Sequence, residues 1–291
     1  MTILVTGSTG IIGSRVVASL AANGADVHAL ARAPEKAQFP GGVTPVKADL
    51  MDVEATRKAI AQASTLFLLN AVTPDELTQA LLTLSLAREA GIKGIVYFSV
   101  FHADRFTDVP HFTGKFAVEH MIEDRDLHAT ILRPNYFMQN DVALKDAIME
   151  HGVYPQPIGS KGLSMVDARD IAEIAASSLL KRENAAAPLP REMIELVGPD
   201  VLTGGAVAQI WSELLGRDIR YSGDDLDAFE RQVAAFAPGW LVRDFRLMFA
   251  RQQQHGMVAS LAAVSRMAEL LGHAPRSYHD FAAETAKAWQ S

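Results

Sequence analysis

The chain has 291 residues, 49% of them hydrophobic, enough for one large α/β domain or a sheet domain with a smaller appendage. Its formal net charge is -7, without long charge blocks, which argues against a nucleic-acid partner or an anionic membrane surface. There is no cysteine, so disulfides, thiolate metal sites and cysteine nucleophiles are excluded; no run is apolar enough to span a bilayer, and the expectation is a cytoplasmic protein without a signal peptide or a bound metal.

Ile3, Leu4 and Val5 form a short branched run that reads as a buried strand. Gly7, Gly10 and Gly13 follow as GxxGxxG, and Ile12, Val16 and Leu20 then recur at helical spacing. Strand, glycine turn and helix together form a cradle for a dinucleotide. Glycines let the backbone approach a pyrophosphate, and the helix start offers unpaired N–H groups to it. The stretch Gly7, Ser8, Thr9, Gly10, Ile11, Ile12 and Gly13 is the expected phosphate contact.

Residues 25–31 read as the second strand, ending in Ala31 and Arg32 where an NAD-preferring fold places an acid. Arg32 can pair with a 2′-phosphate or stand as a solvated surface residue; the first reading favours NADPH/NADP, with NADH weaker. The third strand, Val43–Lys47, runs to Asp49 and Leu50. Asp49 either accepts from an adenine amino group, with Leu50 over the ring, or caps the helix that begins near Asp52. Strands at residues 65–69 and 94–100 follow, with a helix from Pro74 carrying Leu77, Leu81 and Leu84. The sixth, 129–132, leads into Arg133, Pro134, Asn135, Tyr136 and Phe137.

Alternating strands and helices predict a Rossmann-type, doubly wound parallel sheet. Ligands in such sheets bind beyond the carboxyl ends of the strands. Gly7, Arg32, Asp49, Leu69, Asn70, Ala71, Ser99 and Asn135 all fall at that edge. After Phe137 the rhythm changes. Residues 151–163 read as a Gly/Pro-rich loop, 167–181 as a helix, 193–197 as a late strand, and 225–284 as mostly helical. The predicted division is 1–135 for the nucleotide-binding domain, with returning segments about 165–200, and 136–164 plus 201–291 for a smaller, mostly helical substrate domain.

The chain resembles the NmrA-like branch of the short-chain dehydrogenase/reductase superfamily. The resemblance is carried by TGSTGIIG (6–13), AR (31–32), ADLMD (48–52), FSVFHAD (98–104), HFTGKFAVEHMI (111–122), ILRPNYFMQN (131–140), VDARDIAEIAA (166–176) and ELLG (213–216). It implies Ser99 and Lys115 as members of the catalytic set, with Lys115 on the nicotinamide ribose. His111 stands four residues before Lys115, where ordinary members carry tyrosine. His111 either donates a proton or faces solvent in a loop; hydride transfer to a conjugated acceptor needs no side-chain acid. Asn135, Tyr136 and Phe137 are expected against the coenzyme. Phe101, His102, Tyr136, Met138, Asn140 and Trp240 are expected to line a mostly apolar substrate pocket.

The resemblance thus implies an NAD(P)H-dependent oxidoreductase that passes hydride to a quinone, azo compound or triarylmethane dye. Its alternatives are a non-catalytic NADP-sensing regulator and an epimerase or dehydratase of sugar nucleotides. The expected partner is a small aromatic or quinonoid molecule, and a homodimer is compatible with the chain.

Overall fold

Short runs of branched and aromatic residues build the sheet. The computed structural model describes residues 2–290; the outer limits of the predicted domain division, residues 1 and 291, lie outside them. The strands are β1 (Thr2–Val5), β2 (Asp26–Ala31), β3 (Val43–Lys47), β4 (Thr65–Leu68), β5 (Gly94–Phe98), β6 (Ala129–Pro134) and β8 (Glu192–Leu196). They form one seven-stranded sheet in the order β3-β2-β1-β4-β5-β6-β8. Every pairing from β3 across to β6 is parallel. Ends differ from the sequence reading by a residue or two, the usual uncertainty of a strand terminus.

Between the strands run α1 (Ile11–Ala22), α2 (Val53–Ile60), α3 (Glu76–Glu89), α4 (Pro110–Asp124) and α6 (Ala168–Glu183). β4 and β5 are buried at every position, as strands covered on both faces must be. Leu4, Leu66, Leu68, Ile95, Tyr97 and Ile131 alternate onto one face and pack with Ile60, Leu84, Val118 and Ile122 of the helices. The expectation for α3 is corrected in part. The helix opens at Glu76, not Pro74, and its buried stripe includes Ala80, Thr83, Leu84 and Ala87. Leu77 sits in the first turn, ahead of that stripe, and is 37% exposed.

The chain divides into two compact units. The first comprises the chain up to Ala103, Thr113–Arg133 and Ala168–Ile194, and holds nearly all of the sheet. The second comprises Asp104–Phe112, Pro134–Asp167 and the chain from Glu195 onward. It contains α5 (Lys145–Met149), a two-stranded parallel sheet of β7 (Val153–Tyr154) and β9 (Arg220–Tyr221), α7 (Gly204–Leu215), α8 (Leu226–Val233), α9 (Gly239–His255), α10 (Leu261–Leu271) and α11 (Tyr278–Gln290). β7 falls inside the stretch expected to be all loop; two residues carry no period to read. Thr203 caps α7 by accepting from the Ala206 N–H at 3.2 Å. Trp211 stacks on Trp289 at 4.8 Å between ring centres, which packs α7 against α11. No described helix is long and apolar enough to cross a membrane.

Candidate coenzyme site

Strand order reverses between β1 and β4, and the crevice at such a reversal is where open α/β sheets bind ligands. Thr6 stitches the two strand ends together there. Its hydroxyl donates to the Leu69 carbonyl at 2.9 Å and accepts from the Leu69 N–H at 2.8 Å. Gly7 then turns the chain with φ +60°, a backbone state that side chains disfavour. A Cβ at Gly7 would also lie 2.9 Å from Leu69, and one at Gly13 would lie 2.1 Å from the Gly7 carbonyl oxygen. The fold itself therefore demands glycine at positions 7 and 13.

Gly10 is different. Its φ of -81° and ψ of 175° suit any residue, and a Cβ there would meet no protein atom closer than 3.5 Å. Neither conformation nor packing calls for glycine at this position. Gly10 is the N-cap of α1, no side chain caps that end, and the first turn carries no acid. The helix start is bare backbone with unpaired N–H groups. Ile12 is core and Ser8 donates its hydroxyl to the Leu30 carbonyl at 2.8 Å, so these two offer a ligand their backbone only. Thr9 and Ile11 are exposed.

Arg32 is exposed after β2 and forms no ion pair among the described residues. The Asp75 carboxyl is held below its ordinary range by hydrogen bonds with Gln79 and Thr73, with a smaller contribution from the charge of Arg32. Asp52, not Asp49, caps α2, accepting from the Ala55 N–H at 3.0 Å. Asp49 instead accepts from the Met51 N–H at 2.9 Å within its own turn, beside half-buried Leu50. Asn70 is buried after β4. Its amide nitrogen donates to Gln79 at 3.4 Å, while its Oδ1 has no hydrogen-bond partner among the described residues. Ala71, next in the chain, is exposed. A bare helix start, an unforced glycine and an orphaned buried amide oxygen suit a phosphate-bearing ligand with sugar or amide hydrogens to donate.

At the ends of β5 and β6 the side chains are charged and paired. Arg133 grips Glu119 through Nε at 3.0 Å and Nη2 at 2.5 Å, and the Ser99 hydroxyl donates to the same carboxylate at 2.5 Å. Lys115 Nζ lies 2.6 Å from Glu76 Oε1 and 3.4 Å from the Phe98 carbonyl oxygen. All of these side chains are buried. Burial, with Glu76 and Glu119 nearby, pushes the Tyr97 hydroxyl well above its ordinary range. Phe101 is buried and stacks on His102 at 4.0 Å, with His102 in the left-handed region at φ 62°. Sequence reasoning missed Glu76, Gln79 and Glu119. Only Glu119 had a local signal, since it stands one helical turn beyond Lys115.

In the second unit, the solvent-facing alternative for His111 is corrected. His111 lies in the first turn of α4, and its ring is nearly buried against Phe112. One carboxylate, Asp244, takes both its backbone N–H at 3.0 Å and its ring Nδ1. The Asn135 amide donates to the Met257 carbonyl at 2.7 Å and its Oδ1 accepts from the Tyr136 N–H at 2.8 Å. Phe137 bridges to Val166, and Met138 is wholly buried. Asn140 is half-buried and Trp240 is 41% exposed.

Asp141, also wholly buried, accepts from Tyr278 at 2.6 Å and Tyr154 at 3.2 Å. Burial raises its carboxyl to about 7 against the opposing pull of those hydroxyls. The Tyr136 hydroxyl is pushed well above its ordinary range by burial and by Asp141.

Residues 1–276 match the family described as the NmrA-like family. Among curated proteins, the chain is similar to an NAD(P)H azoreductase of Xenophilus azovorans, 29% identical over 294 residues and covering 99% of both chains. Among solved structures it is similar to the NADPH complex of the quinone oxidoreductase QOR2 from Escherichia coli (TM-score 0.85, 24% identity, 99% of this chain and 100% of that one). It is also similar to a Citrobacter triphenylmethane reductase complexed with NADP(H) (TM-score 0.83, 22% identity, 98% and 100%). At such identities the two structures speak for the fold.

Proposed function

The chain belongs to the NmrA-like family, and from that premise we propose that it is an NADPH-dependent reductase of a conjugated acceptor: a quinone, an azo compound or a triarylmethane dye. The observation that carries this reading is Gly10. A glycine that the protein's own conformation and packing do not need, at a bare helix start, leaves room for a pyrophosphate against the backbone.

The coenzyme, when bound, supplies the hydride. The chain supplies position and fixed charge. The N–H groups at the start of α1 hold the pyrophosphate, with the backbone of Ser8, Thr9 and Ile12 shaping the turn. Arg32 takes the 2′-phosphate, a bidentate partner that selects NADPH over NADH. Asp49 and Leu50 flank the adenine. The orphaned Oδ1 of Asn70 accepts from the ligand beside Leu69 and Ala71. Lys115 holds the nicotinamide ribose. Ser99, whose own proton is given to Glu119, keeps its oxygen as an acceptor.

His111 is the chain's proton donor in this reading. Asp244 fixes one ring nitrogen and leaves the other to exchange a proton. Asn135 and Phe137 contribute by shaping backbone. Phe101, His102, Tyr136, Asn140 and Trp240 remain the substrate set; Met138 leaves it, because its side chain is wholly buried in the protein interior. The reading makes the protein cytoplasmic and its partner a small aromatic or quinonoid molecule, not nucleic acid; a homodimer is compatible with it.

The test mixes protein and NADPH with a panel of quinones, azo compounds and triarylmethane dyes and follows the nicotinamide absorbance band. Acceptor-dependent loss of absorbance is expected. Silence across the panel, with NADPH binding retained, would favour an NADP-sensing regulator instead.

A further inference from the structure

We propose that Glu76 is a positioning residue for Lys115, and that the first turn of α3 sets the nicotinamide half of the coenzyme site; this rests on the coenzyme reading above. Glu76 is the first residue of α3, just after the N-cap Asp75. A carboxylate there is favoured by the positive end of the helix. Its Oε1 lies 2.6 Å from Lys115 Nζ, both side chains nearly buried. A lysine ammonium has three N–H donors. One goes to Glu76 and one is directed at the Phe98 carbonyl oxygen at 3.4 Å, which leaves the third for a ligand. Three residues along α3, Gln79 accepts from the Asn70 amide at 3.4 Å. Positions 76 and 79 share a helix face. One turn of helix therefore holds both polar groups, Lys115 and Asn70, that the coenzyme reading places at the ends of the central strands.

Glu76 is worth more than a salt bridge for stability alone. A flexible lysine stem samples many rotamers, and an anchored ammonium meets a ribose hydroxyl without that ordering cost. The effect is confined to one half of the ligand. Arg32 and the glycine turn, which serve the adenine half, make no contact with Glu76 in the hydrogen bonds and ion pairs of the described residues.

The experiment measures binding of NADPH and of adenosine 2′,5′-bisphosphate, which lacks the nicotinamide half, to the wild type, Glu76→Gln, Lys115→Met and the double variant. Glu76→Gln is expected to weaken NADPH on the order of 10-fold, the scale of one charge-assisted hydrogen bond, and to leave the bisphosphate unchanged. The double variant should bind NADPH no worse than Lys115→Met alone, because Glu76 acts through Lys115. Unchanged NADPH affinity in Glu76→Gln, equal losses for both ligands, or fully additive losses in the double variant would overturn the proposal. Where Glu76→Gln does not fold, Glu76→Asp carries the same comparison. A wild type that binds neither ligand would contradict the coenzyme reading itself, a separate failure.

Discussion

Two buried carboxylates, one in each unit, are compensated in opposite ways. Glu119 in the first unit receives a two-point grip from Arg133 and a hydroxyl from Ser99. Asp141 in the second unit receives phenol hydroxyls from Tyr154 and Tyr278, with no cation paired to it among the described residues, and its carboxyl rises to about 7. Around the proposed nicotinamide half of the first unit, charge meets charge: Glu119 with Arg133, Glu76 with Lys115. Asp141 in the second unit meets only neutral donors. Fixed charges suit the region proposed to hold an anionic coenzyme, whereas a carboxyl among phenols can shed its charge by taking up a proton.

The largest expected break in that contrast is Arg133→Met. It leaves Glu119 buried and without its cation, at a cost of about 3–5 kcal/mol in denaturant unfolding. A loss within experimental error would show that the pair is not what secures this layer.

Asp141→Asn tests the other side. The folded carboxyl is raised from 3.8 to about 7, so the folded state holds its proton where the unfolded chain has released it. The stability from this group is full below pH 3.8 and is lost as pH rises to about 7, by about 4 kcal/mol. Asp141→Asn should flatten that fall when unfolding is followed between those pH values. The same slope in both proteins would show that Asp141 does not titrate in this window.

Smaller effects sharpen the functional side. His111→Phe should lower turnover by about 10²-fold with NADPH affinity intact, in initial-rate and binding measurements. Unchanged turnover would retire His111 as a proton donor and leave its pairing with Asp244 structural. Arg32→Ala should weaken NADPH roughly 10-fold and NADH hardly at all, since one charge-assisted contact to a 2′-phosphate is removed. Equal losses would show that Arg32 does not read that phosphate.

How far the sequence reveals these regions depends on the range of each interaction. The glycine turn is legible because strand, turn and helix are consecutive in the chain. The separate reasons for its three glycines are not, since Gly7 also answers to Leu69 on a distant stretch of the chain. The parallel sheet and the edge where β1, β4 and β5 end are legible from alternating strands and helices. Partners across the fold are not. Glu76 lies 39 residues from Lys115, and Asp244 lies 133 residues from His111. Asp141 has no local mark, because an acid among tyrosines distant in sequence looks like any surface acid. Leu77 was misplaced for a related reason: helical spacing gives a stripe but not the residue at which the core stops. β7 and β9, two residues each, are too short to show any period.

Coenzyme binding rests on the bare helix start at Gly10. Equilibrium titration of the purified protein with NADPH and with NADH, followed by nicotinamide fluorescence, tests it most directly. Saturable binding of both is predicted, with NADPH the tighter ligand. Absence of binding by either coenzyme would contradict the account at its root.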